Sequence, residues 1–253
     1  MHTLGILLLL SGAGFLAGTM NAIAGGGSFV SFPALILAGV PSVAANASST
    51  VALFPGALTS AWVYRRDIGG IGGIPLKPLL ALSLAGGLTG AILLLSTPVA
   101  IFDFVVPWLL LVATLAFIFG HRLGDKLRRH MRIGRMATLL LQFGLGVYGG
   151  YFGGAVGIMM LAMWSLIGTD TLKTMNPARI FLVGAMNGIA VLCFIAAGQV
   201  WWPQTVAMLL GAAAGGYAGA WIGQRLPARA TRALIIAVTV TMTAIFFWRA
   251  YGS

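Results

Sequence analysis

A chain of 253 residues that is 59% hydrophobic and only 8% charged, with a mean hydropathy of +1.00, is not a soluble globular domain. Its apolar runs reach the roughly 20 helical residues that cross a hydrocarbon core, and they are continuous rather than alternating, which argues against a β-barrel. The net charge of +11 would suit nucleic acid, but the basic residues fall between apolar runs without interleaved stacking aromatics, so no nucleic-acid partner is expected.

The predicted fold is all-α, a polytopic helical membrane protein. Apolar stretches run at 4–24, 28–40, 46–64, 75–95 and 101–119, and again at 136–153, 156–168, 177–197, 204–223 and 231–249. The first imitates a secretory signal ending Ala22-Ile23-Ala24. It carries no Lys or Arg ahead of its apolar run, however, and it recurs at 136–155, so it reads as a span. Two transmembrane repeats, 1–120 and 136–253, are therefore expected on either side of a basic cytoplasmic linker, 121–135. Cys193 is the only cysteine, and it excludes a disulfide framework.

The halves repeat one another. Gly18-Thr19-Met20-Asn21, running on to Gly25-Gly26-Gly27, returns as Gly146-Val147-Tyr148-Gly149, running on to Gly153-Gly154 and Gly157. Each cluster precedes a short apolar element, and about 20 residues later come Asn46-Ala47-Ser48-Ser49-Thr50 and Asn176-Pro177-Ala178-Arg179. Paired glycine breaks at matching places in two hydrophobic halves point to the binding site of a secondary transporter.

The short elements either continue the preceding helix or fold back as hairpins. Charge arbitrates, because Lys and Arg collect on the cytoplasmic side. If both fold back, every Lys and Arg except Arg249 lies inside. If neither does, Lys173, Arg179, Arg225, Arg229 and Arg232 move outside. The hairpin arrangement is favoured. It gives each half an odd number of crossings, so the second half is inverted and both termini face outward.

A helix that starts inside the membrane presents unpaired N–H groups and the positive end of its dipole. Such an end holds an anion. The helices starting at Ser28 and at Val156-Gly157 are expected to converge near the pseudo-two-fold axis. Candidate substrate contacts are Asn21, Gly25, Gly26, Gly27, Ser28, Ser49 and Thr50 in the first half, with Gly153, Gly154, Gly157 and Arg179 in the second. Arg179 either snorkels to the interface or pairs with the anion.

Other features read as structural. Asn46 and Asn176 suit N-caps. Gly12, Gly14, Gly86, Gly87, Gly211, Gly215 and Gly216 suit helix packing. Trp108, Trp201, Trp202, Trp221 and Trp248 suit an interfacial belt, and Trp62 and Trp164 fall at cytoplasmic helix ends. The only carboxylates, Asp67, Asp103, Asp125 and Asp170, lie near segment ends or in loops, as do His2, His121 and His130. The chain thus lacks a mid-membrane proton relay, a metal-ligand cluster and a nucleophile with a base, so neither an enzyme nor a cofactor or metal is expected.

Gly18-x-x-Asn21-x-x-Ala24-Gly25-Gly26-Gly27-Ser28-Phe29, Ala44-Ala45-Asn46-Ala47-Ser48-Ser49-Thr50 and Tyr64-Arg65-Arg66-Asp67 resemble the sulfite exporter TauE/SafE family, and Gly149 to Gly157 is similar to its internal repeat. Asn176-Pro177-Ala178-Arg179 departs from the family pattern. The resemblance implies a multi-pass permease of the cell (inner) membrane, carrying a small anion such as sulfite or an organosulfonate by alternating access. A passive anion channel and a non-transporting scaffold are the alternatives, and a homo-oligomer stays open. A reporter joined after Ser253 is expected to signal outside the cytoplasm; a cytoplasmic signal rules out the hairpin arrangement.

Overall fold

The computed structural model describes residues 2–24, 26–128, 133–167, 171–223 and 228–252. Among these, ten helices follow one another: α1 (His2–Ala24), α2 (Ser28–Leu37), α3 (Ser42–Val63), α4 (Leu76–Ser96), α5 (Val99–Arg128), α6 (Arg135–Tyr151), α7 (Val156–Ser165), α8 (Leu172–Ala196), α9 (Trp202–Gly223) and α10 (Ala228–Tyr251). Four of them, α1, α4, α5 and α8, hold stretches long and apolar enough to cross a membrane among the described residues. Large apolar side chains such as Leu16, Ile92, Phe104 and Leu192 are exposed on their faces, as lipid contact requires. The protein is a polytopic helical membrane protein.

The helices sort into two compact units, one of residues 1–56, 95–114 and 194–253, the other of 57–94 and 115–193. Each unit draws on both halves of the sequence. In the first, α1 lies against α9: Gly14 and Gly18 face the Met208 and Ala212 backbone, while Gly211 and Gly215 face Ser11 and Phe15. The Ser11 and Thr19 hydroxyls donate across the same seam to the Ala207 and Gly215 carbonyls, at 3.1 and 2.9 Å. In the second, α6 lies against α4: Gly86 and Gly90 face the Phe143 and Val147 carbonyls, and Gly150 faces Gly87. The fourth helix of each half is therefore paired with the first helix of the other. Absent side chains let the backbones touch, which drives association where lipid supplies no hydrophobic gain.

Gly14, Gly86, Gly87, Gly211 and Gly215 are packing glycines, as expected. Gly12 and Gly216 are not, because a Cβ there would meet open space. Gly18, Gly146 and Gly150, read from sequence as part of the glycine breaks, sit in the helix seams instead.

Both short helices fold back along the helix before them. The Trp164 indole on α7 donates to the Gln142 carbonyl oxygen on α6 at 3.2 Å, and the Gln142 amide donates to the Ser83 hydroxyl on α4 at 2.8 Å. In one continuous helix, residues 142 and 164 would stand about 33 Å apart. In the first unit a Cβ built on Gly27 would lie 2.6 Å from the Ala17 carbonyl oxygen, well back along α1. Trp164 is 1% exposed, so it is a core residue and not an interfacial one. Its indole N–H finds a partner in Gln142, which makes that burial affordable. Trp108, Trp201, Trp202 and Trp248 are exposed, as a belt requires, and so is Trp62 at its helix end, while the Trp221 side chain lies outside what is described.

The asparagines are not caps. Pro41 precedes α3, its carbonyl accepting the Ala45 N–H at 2.7 Å, and helix-forming Ala44 and Ala45 carry the start upstream, leaving Asn46 one turn inside and 2% exposed. Asn176 likewise lies inside α8, beside Pro177. The fifth helix runs past its apolar stretch to Arg128.

Gly150→Leu is expected to force α6 from α4 and to destabilise the protein by about 1–3 kcal/mol. Gly12→Leu, facing open space, is expected to leave stability unchanged or raise it. Thermal unfolding of both variants in the same detergent checks this.

Candidate functional site

Each break places its candidate residues within its own unit. In the first, Gly25 lies outside the described residues, and Gly26 and Gly27 are buried in the turn. Gly27 has an ordinary helical φ of −58°, so its need for glycine comes from close approach: a Cβ there would meet Ala17, the Asn21 Cβ at 3.0 Å and Leu53 at 3.2 Å. The Phe29 and Val30 N–H groups turn back to the Gly26 and Gly27 carbonyls at 3.2 and 3.0 Å. Ser28 is half-buried at the start of α2. Ser49 is 1% exposed, and its hydroxyl lies 2.6 Å from that of Ser31. The Thr50 hydroxyl donates to the Asn46 carbonyl at 2.9 Å, a bond within α3. This side of the structure is thus internally bonded at several of its candidate donors.

The second break is built differently. Gly153 takes a φ of +81°, a left-handed conformation that glycine adopts without Cβ strain. Ala155 is also left-handed, with a φ of 57°, and among the described residues it is the only non-glycine with positive φ. An alanine there costs roughly 1–3 kcal/mol and persists only where the surroundings impose it, as at ligand sites. The turn closes α7 by bonds from Ile158 and Met159 to the Ala155 carbonyl, at 2.9 and 3.2 Å. Among the described residues, the N–H groups of Val156 and Gly157 have no hydrogen-bond partner.

Arg179 reaches across this helix start. A Cβ on Gly157 would lie 3.1 Å from its Nη1 and 3.3 Å from its Cδ, so a larger residue there would crowd the arginine side chain. The Arg179 Nε is buried without a partner, and so is the Asn187 Oδ1, which faces Gly153 two turns further along α8. Among the described residues Arg179 has no carboxylate partner. The structure therefore brings Gly153, Gly154, Gly157 and Arg179 together, and adds Asn187 and Ala155. The guanidinium, the two open N–H groups and the helix dipole are positive features of this helix start, and the Asn187 Oδ1 is an open acceptor beside them.

Ser31, Ser83, Gln142 and the burial of Trp164 escaped the sequence reading. The available signal was Gln142, a lone amide inside an apolar run, since a polar side chain at membrane depth has to find a partner. No group of His, Cys, Asp or Glu that could hold a metal ion occurs among the described residues.

Residues 10–246 match the family described as Sulfite exporter TauE/SafE. A "Probable membrane transporter protein" of Haemophilus influenzae is 30% identical over 94% of this chain and 93% of its own length. "Probable membrane transporter protein YfcA" of Escherichia coli K12 is 29% identical over 98% of this chain and 91% of its own. "Probable membrane transporter protein ORF9" of a Sinorhizobium species is 28% identical over 94% and 90%. No solved structure matches the chain. With the match spanning nearly every helix and both breaks, the chain belongs to the sulfite exporter TauE/SafE family of membrane proteins.

Proposed function

We propose that the protein is a secondary transporter of the inner membrane that carries a small oxyanion, sulfite or an organosulfonate, by alternating access between inverted halves. One observation carries this reading: the Arg179 side chain packs against Gly157 at the start of α7, its buried Nε unpartnered and without a carboxylate partner among the described residues. Such a cluster asks for an anion, and a charge-assisted hydrogen bond is about twice as strong as a neutral one. Sulfite and sulfonates present several sulfur-bound oxygens to several donors at once. Asn21, Gly26, Gly27, Ser28, Ser49 and Thr50 are the candidate contacts of the first repeat in this reading. Family membership supports it, as does the recurrence of the break before the same kind of short helix.

Binding to the folded state raises apparent stability, by about 2.7 kcal/mol at a hundred times Kd. Sulfite or an alkanesulfonate is expected to raise the melting temperature of the purified protein more than chloride at equal ionic strength. Arg179→Gln is expected to weaken binding by about tenfold to a hundredfold, the equivalent of one charge-assisted contact. An unchanged shift in this variant returns Arg179 to a snorkelling role. Saturable counterflow in proteoliposomes separates a carrier from a passive channel.

A further inference from the structure

A cavity of about 350 Å³ lies wholly within the first unit, bounded by Pro41 and Ser42 at the α2–α3 turn, by Asp103 on α5, and by Phe246 and Arg249 on α10. This volume suits a small molecule. Its walls are held by aromatic contacts. Phe246 stacks on Phe32 with ring centroids 5.5 Å apart, and Phe32 meets Phe102 edge-on at 6.2 Å. The Tyr251 hydroxyl joins α10 to α5, donating to the Phe104 carbonyl and accepting from the Trp108 indole, each at 2.9 Å.

Three polar groups line this cavity unused. Ser42 is 6% exposed, and its buried Oγ has no hydrogen-bond partner. Asp103 and Arg249 are exposed at the cavity, and neither pairs with the other or with any other described residue. Two helix ends add to the pattern. The start of α3 brings a positive dipole end beside Ser42, and the end of α2, at Ile36 and Gly39, brings a negative one.

A simple anion would leave Asp103 facing it, and a simple cation would leave Arg249 uncompensated. A molecule carrying both charges satisfies the two at once. We propose that this cavity binds a small zwitterion, its ammonium beside Asp103 and its singly charged acid group held by Arg249, the Ser42 hydroxyl and the start of α3. Free amino acids and the headgroup of an ethanolamine phospholipid share this chemistry. The cavity uses none of the residues of the anion site at the α7 break.

The test uses full-length protein in nanodiscs of phosphatidylglycerol alone, titrated with β-alanine. N-acetyl-β-alanine, which lacks the ammonium, and ethylamine, which lacks the acid, are the controls. β-Alanine is expected to bind about tenfold or more tightly than either control. Asp103→Asn is expected to abolish the preference over the acetylated form, and Arg249→Gln the preference over ethylamine. Ser42→Ala removes a hydroxyl and no charge, and is expected to weaken β-alanine binding severalfold while folding as the parent does. In a second arm, native mass spectrometry follows protein from nanodiscs containing phosphatidylethanolamine. Retention of that lipid, lost in both charge variants, without β-alanine binding, identifies the lipid headgroup as the source. Equal binding of β-alanine and its acetylated form, failure to bind either zwitterion, or unchanged binding in all three variants overturns the proposal.

Discussion

Backbone that leaves a helix inside a membrane must find partners for its N–H and C=O groups, and every feature of the candidate site follows from how the two breaks meet that demand. At the first break the turn bonds back on itself through Gly26 and Gly27, and Ser31 and Ser49 join their hydroxyls behind it. At the second, the Gln142 bridge between Trp164 and Ser83 fixes α7 along α6 and α4. The Val156 and Gly157 N–H groups are left over. One break is thus saturated at several donors, while the other offers unspent donors beside an arginine.

That contrast gives the repeat unequal parts. Both halves supply the same broken hairpin, yet only the second carries a cation in its third helix at this position, and among the described residues only there does a non-glycine residue hold a left-handed turn. Arg179 packs against Gly157, where a Cβ would be tight against the guanidinium, and its Nε is buried without a partner. The second half thus holds the buried arginine, while the first half contributes the close packing of α2 against α1.

Much of this was legible in the sequence. Continuous apolar runs gave the helices, and the bias of Lys and Arg together with the glycine clusters favoured fold-back over continuation, which the Trp164–Gln142 contact bears out. What escaped has physical causes. Glycine carries no side chain to show which way it faces, so Gly18, Gly146 and Gly150 could not be separated from the turn glycines, nor Gly12 and Gly216 from the seam. Trp164 sat near a segment end and resembled a belt residue, because its partner Gln142 lies on another helix. Asn46 resembled a cap because nothing in its immediate neighbourhood announces that Ala44 and Ala45 are already helical. The left-handed Ala155 has no sequence signature, since the residues around it impose it.

The exchange of fourth helices bears on how such a chain is made. Residues that complete the second unit have all been synthesised once Cys193 appears, whereas α1, made well before α9, has its glycine seam filled only by that helix. Contacts so distant along the chain close slowly, because the loop between them has to be ordered first. During that interval α1 carries small-residue grooves without their native neighbour, open to any passing helix. A helix made well before its partner is therefore among the last to find its place, and a nascent chain halted before α9 would hold a finished second unit and an α1 still waiting.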